Sequence, residues 1–312
     1  MDDKILDRAQ GCLLGQLAGD ALGSLVEFQS ARTIALRYPD GLRDLEDGGT
    51  YNTIAGQPTD DSEMALMLAR LLVAEHRYDP DLALERYRYW FHSGPFDYGF
   101  ATRQALTDRP DTQTQANGAL MRVSPLGIFG VGKPRQALAD WARQDARLTH
   151  PHPICQQINV LFVLAIADAI EHGLTARELH DRISRQADDL GVDKPISRVI
   201  GQSCDSPPAD YLHHQGWVLI AFHNALWQLL HAESAEAAII DSAMRGGDTD
   251  TNAAICGALL VAVHGRASIP QRWQDKLLQC RPEAGRPGVH RPRPRPFWPA
   301  DTLKLAENLF QA

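Results

Sequence analysis

The sequence predicts an all-α protein, on three observations. Apolar residues recur at spacings of three and four along most of the chain, strict two-residue alternation is scarce, and Gly- and Pro-rich stretches separate the periodic segments. Ile5, Ala9, Cys12, Leu13, Leu17 and Ala21 place a helix over 4–22. Met64, Leu68, Leu71 and Leu72 place another over 62–75, and Leu82, Leu84 and Tyr87 a third over 81–92. Residues 155–172 (CQQINVLFVLAIADAIEH) are apolar nearly all round, as a central core helix is, and 215–231 and 251–264 look similar. Loops are expected at 39–58, 93–100, 108–118, 201–210 and 281–299. RPRPRP (291–296) cannot be helix and reads as an extended strap over the surface, because Phe297 and Trp298 follow at once and need burial. A basic docking arm is the other reading of that stretch.

No Ser/Gly linker divides the chain and no repeat is visible, so residues 1–312 are expected to form one domain. Hydrophobic content of 44% and charged content of 22% are those of a soluble globular protein with a sizeable core. A net charge of −8 gives no electrostatic reason to bind nucleic acid or an anionic membrane, although five arginines between Arg281 and Arg295 make the C-terminal part locally basic. The five cysteines form no C-x-x-C pair, and most sit in apolar runs as buried thiols, which suits a reducing compartment. MDDKILDRAQ lacks the charged-then-apolar pattern of an export signal, and no run approaches about 18 apolar residues. A cytoplasmic protein without a membrane span is the expectation.

Two acidic clusters carry the chemistry. QPTDDSEMAL (57–66) sets Asp60 beside Asp61 after a Pro and a Thr, and RGGDTDTNAA (245–254) holds Asp248 and Asp250. Each opens an apolar run, so each can be a helix N-cap, and Asp60 with Glu63 has capping-box spacing. One cap needs one oxygen, however, and adjacent carboxylates repel unless a cation lies between or beside them. Thr59, Asp60, Asp61, Asp248, Asp250 and Thr251 together make an all-oxygen donor set suited to Mg²⁺, Mn²⁺ or Ca²⁺ rather than zinc. Four carboxylates can hold two divalent ions about 3.5–4 Å apart if both helix starts face one cleft. Gly246 and Gly247 permit positive φ and close backbone approach, either as a plain turn or as a phosphate cradle. His150 and His152 alternate with prolines in THPHP without a third ligand at zinc spacing, so one is expected to hydrogen-bond locally near a pocket. His213 and His214 read as a polar loop.

These segments, with others, resemble the ADP-ribosylglycohydrolase family. PTDDSEM and RGGDTDTNA look like its two signatures. GCLLGQLAGDALGSLVEF (11–28), GPFDYGFAT (94–102), NGALMRVSPLG (117–127), THPHPICQQ (149–157) and RPRPRPFW (291–298) match in order. The likeness is greatest to the dinitrogenase reductase-activating glycohydrolase type. The resemblance implies an all-α single-domain fold with a two-metal cleft holding Mg²⁺ or Mn²⁺. It implies hydrolysis of ADP-ribose from protein side chains, most often arginine, with an ADP-ribosylated protein as partner and ADP-ribose as product. The metal ligands carry over to Thr59, Asp60, Asp61, Asp248, Asp250 and Thr251. Glu27 falls where the family has a glutamate near the metals, and is the first candidate for proton transfer, with Asp60 or Asp61 second. Gly99, Asn117, Gly118, Gly246 and Gly247 fall among positions that shape the ADP-ribose pocket. Trp217 stands where such proteins commonly place a tyrosine near the adenine, and an indole stacks equally well. Asp97 is a turn residue or a partner for the guanidinium of a modified arginine. Two other readings stand beside the enzyme: an ADP-ribose reader or toxin-neutralising immunity protein acting by contact, and a hydrolase of another ADP-ribose linkage such as that to serine.

Overall fold

The computed structural model describes residues 3–312; Met1 and Asp2, the start of the opening stretch tested for an export signal, lie outside them. Regular structure among the described residues is entirely helical. The first five helices are α1 (Asp3–Gly23), α2 (Ala31–Arg37), α3 (Asp60–Glu75), α4 (Pro80–His92) and α5 (Phe100–Leu106). Next come α6 (Ser124–Phe129), α7 (Arg135–Arg147), α8 (Pro153–His172), α9 (Ala176–Leu190) and α10 (Lys194–Gln202). The last are α11 (Val218–His231), α12 (Ala235–Met244), α13 (Thr249–His264), α14 (Gln271–Gln279) and α15 (Thr302–Gln311).

The six anticipated helices are present, each within a few residues of its expected ends. The remaining ones are shorter or more polar. Helix α9, for instance, buries only Leu179, His180, Ile183 and Ala187 along one stripe, and is started by a capping box between Thr175 and Glu178. Helices α1 and α13 run through the centre with α8, α11 and α12 packed beside them. Their contact is a row of small residues. A Cβ added at Gly15 would lie 2.4 Å from the Gly257 carbonyl oxygen, one at Gly19 2.0 Å from that of Ala253, and one at Gly23 2.4 Å from the Asp250 Cα. Backbone therefore lies against backbone, as only glycine permits. All five cysteines are free thiols.

Two expectations need correction. Helix α8 is long and apolar enough to span a membrane by length and composition, with a mean hydropathy of 1.6; 83% of that window is buried against the rest of the protein. The Pro-rich strap does not lie wholly on the surface. Arg293 drops inside, where its guanidinium forms a two-pronged bond with Glu63 of α3, at 2.8 Å to Oε1 and 2.7 Å to Oε2. It also donates to the Ser93 carbonyl and hydroxyl at the end of α4. Arg295–Phe297 then tightens into a 3₁₀ turn with Phe297 fully buried.

Candidate active site

The central helix pair brings the two acidic clusters together. Beyond Gly23 the chain turns sharply and lodges Glu27, 5% exposed, beside the start of α13. Two backbone bonds hold that turn: the Phe28 N–H donates to the Gly247 carbonyl at 2.8 Å, and the Gly247 N–H donates to the Gln29 carbonyl at 3.0 Å. Gly246 and Gly247 have φ of +80° and +76°. Their N–H groups do not line the cleft; the pair shapes it from behind by tying Glu27's loop to Asp248.

The start of α3 is built differently from the expected capping box. Thr59 occupies the N-cap position with no cap bond of its own, and Glu63 is engaged by Arg293. The cap comes from another helix. Asp20, fully buried in the last turn of α1, accepts from the Thr59 N–H at 3.0 Å, the Thr59 hydroxyl at 2.9 Å and the Ser62 N–H at 3.1 Å. Asp20 thereby orients Asp60 and Asp61 and takes the Thr59 proton, leaving that oxygen's lone pairs for another partner. Asp248 likewise holds the N-cap position of α13 without a side-chain cap bond; its carboxylate accepts from the Asn117 amide at 2.6 Å instead.

The result is a cleft of about 420 Å³ lined by Glu27, Asp60, Asp61, Asp97, Asp248 and Asp250 together with Gly99, Asn117, Gly118, His150 and Thr251, and by no lysine or arginine. Thr59 stands just behind this lining. The Gly99 N–H donates to Asp60 at 3.3 Å. Donor oxygens of Glu27, Asp248 and Asp250 lie within 4.8 Å of one another. Glu27, assigned to proton transfer on sequence, therefore also stands at ligand distance from the second cluster. A neighbouring pocket of about 730 Å³ shares Ala116, Gln215 and Gly216 with the cleft and is walled by Trp217, whose indole N–H donates to Gln115 at 2.9 Å.

Burial and mutual repulsion raise every one of these acids. Burial, then Asp97 and Asp248, push Glu27 up to about 9. Asp60, Asp61 and Asp250 stand well above the ordinary carboxylate range because they are buried among one another. Asp97 and Asp248 are raised chiefly by burial. Two donor atoms, Glu27 Oε2 and Asp61 Oδ1, are buried with no hydrogen-bond partner. Oxygens without a proton donor, in a group with no protein counter-charge, suit hard divalent cations.

Sequence reasoning missed Asp20, Tyr51 and Arg122. Asp20 had a signal, since a lone carboxylate inside the apolar run GQLAGDALG must be paired when buried. Tyr51, which bonds to Glu27 and Asp97, sits in a polar loop with no periodic cue. Arg122 is fully buried on Asp145, at 3.1 Å. His152 caps α8 by accepting from the Ile154 N–H, whereas His150 reaches the cleft.

A profile of the ADP-ribosylglycohydrolase family matches residues 1–311. The chain is similar to the ADP-ribosyl-[dinitrogen reductase] glycohydrolase of Rhodospirillum rubrum, 31% identical over 282 residues that span 87% of this chain and 90% of that one. It is also similar to the ADP-ribosylarginine hydrolase Tri1 of Pseudomonas putida (strain GB-1), 27% identical over 99% of this chain and 79% of that one. A solved structure titled ADP-ribosylglycohydrolase-related protein complex superposes with a TM-score of 0.81 at 26% identity, covering 99% of this chain and 98% of that chain. With its helical fold and its acidic cleft, the chain belongs to the ADP-ribosylglycohydrolase family.

Proposed function

We propose that this protein is a divalent-cation-dependent hydrolase that removes mono-ADP-ribose from arginine side chains of proteins. The observation that carries the reading is the convergence of five buried carboxylates and the half-buried Asp97 on one cleft lined by no lysine or arginine. The name of the P. putida relative supports the arginine linkage, and that of the R. rubrum relative supports an ADP-ribosylated protein as substrate. Glu27, Asp60, Asp61, Asp248 and Asp250, with Thr59 and Thr251, would hold Mg²⁺ or Mn²⁺. When bound, such ions supply the counter-charge that keeps these acids ionised, a grip on vicinal ribose hydroxyls and a lowered water pKa.

The chain's own groups do the rest. The bond to be cut joins ribose C1″ to a guanidinium nitrogen, and its cleavage develops oxocarbenium character. Water adds at C1″ and gives up a proton, for which Glu27 is the first acceptor and Asp60 or Asp61 the second. Guanidine leaves with the bonding pair and takes up that proton. Asp97 faces the same space and provides a negative partner for a cationic leaving group. The adjoining pocket suits the nucleotide end, with Trp217 offered to the adenine.

The test is incubation with proteins mono-ADP-ribosylated on arginine and, separately, on serine. Released ADP-ribose is quantified with EDTA and after restoring Mg²⁺ or Mn²⁺. Release from arginine that EDTA abolishes is the expected result. Release from serine alone would move the linkage, and undiminished release in EDTA would remove the cations from the reading.

A further inference from the structure

The lining of the cleft also contains the end of a hydrogen-bond relay that the proposed reaction leaves unused. Arg122 is buried with its Nε 3.1 Å from Asp145 Oδ2 and its Nη2 2.9 Å from the Asp145 carbonyl. Asp145 Oδ1 in turn accepts from the Tyr87 hydroxyl at 2.7 Å. From this clamp, Arg122 Nη1 donates to the Gly118 carbonyl at 3.1 Å and to the Thr149 hydroxyl oxygen at 2.8 Å. The Thr149 oxygen stands 2.7 Å from His150 Nδ1.

Proton counting orders this chain. A guanidinium only donates, so the Thr149 oxygen accepts from Arg122. Among the described residues, the one remaining partner for the Thr149 proton is His150 Nδ1. Were Nδ1 to carry a proton of its own, the buried Thr149 O–H would be left without an acceptor, which costs more than a normal hydrogen bond gains. Nδ1 is thus the acceptor and Nε2 carries the ring proton. Burial, with Arg122's charge nearby, pushes His150 down to about 3, so the ring is neutral and has one N–H to place. Nε2 has no partner among the described residues. It lies on the cleft side over Gly118, where an added Cβ would be 3.2 Å from Nε2 and 2.9 Å from the Thr102 hydroxyl oxygen, which is itself buried and unpartnered.

We propose that Arg122, acting through the Thr149 hydroxyl, fixes the tautomer of His150 so that its Nε2–H faces the cleft as a donor to an acceptor oxygen of the bound ligand. Arg122 and Thr149 are positioning residues in this scheme. The choice of ADP-ribose as ligand rests on the proposed function, whereas the tautomer does not.

Two-bond ¹H–¹⁵N spectra of the imidazoles in ¹⁵N-labelled protein read the tautomer directly, with His150 assigned by its disappearance in His150→Gln. The expected wild-type signature is a protonated Nε2 and an unprotonated Nδ1. Thr149→Val keeps the side chain's shape and removes its proton. It is expected to mix the tautomers and weaken ADP-ribose binding by about tenfold, the effect of one net hydrogen bond. Thr149→Ser is expected to restore both. A protonated Nδ1 in the wild type overturns the proposal whatever the variants do, and so does a Thr149→Val protein with an unchanged tautomer. Failure of the wild type to bind ADP-ribose would count against the proposed function and leave the tautomer result standing.

Discussion

Two neighbouring carboxylates on α3 have opposite circumstances. Glu63 is buried against Arg293 and also accepts from the Trp90 indole N–H at 2.8 Å, so its charge is answered within the protein. Asp60, one turn earlier on the same helix, is just as buried but meets other acids, Asp61 and Asp97 among them. Desolvation acts on both; only Glu63 has a cationic partner. The contrast teaches that burial of charge here serves two ends, closure of the fold in one case and a demand for an outside cation in the other.

The largest expected effect separates these roles. Asp250→Ala should cut Mg²⁺ or Mn²⁺ affinity, read by calorimetry, by more than the about 100-fold typical of losing an outer-shell partner. In EDTA the same variant should be no less stable than the wild type, because it removes an unanswered buried charge. Metal binding that survives in both Asp250→Ala and Asp60→Ala would sink the comparison. Arg293→Ala comes next. It strands Glu63, and urea unfolding should report a loss of about 3–5 kcal/mol. Replacing both partners, Glu63→Gln with Arg293→Met, should recover much of that loss; a double variant as unstable as Arg293→Ala would mean that packing of the strap, not charge, holds this corner.

The smallest effect is a pH slope. Glu27's raised pKa means that its contribution to folding is present at low pH and is lost as pH climbs from the ordinary value of 4.5 through about 9. The melting temperature in EDTA should therefore fall more steeply with pH across that window in the wild type than in Glu27→Gln, and saturating Mg²⁺ or Mn²⁺ should flatten the difference. Equal slopes without metal would place Glu27 outside the repulsive group.

Much of this was legible in the residues. The two acidic signatures and the helices that carry them could be read because apolar period and short-oxygen composition are local properties. What escaped depends on partners distant in sequence. The cap on α3 comes from Asp20, about 40 positions away, and Glu63's partner lies across 230 positions. Local spacing therefore suggested a capping box between Asp60 and Glu63 that the tertiary structure replaces. Surface helices such as α7 and α14 escaped for another reason: each buries only a narrow stripe of side chains in an otherwise polar segment, so few apolar residues mark it, whereas α8 is apolar nearly all round.

The glycine row between α1 and α13 acts as a ruler. Because Gly23 leaves no room for a methyl group beside the Asp250 Cα, the gap between the two acidic halves is calibrated by atoms that are missing. A single added carbon there would press on the Asp250 backbone and spread the jaws of the cleft while leaving every carboxylate group intact, so selection on ligand geometry can act through a residue with no functional group at all.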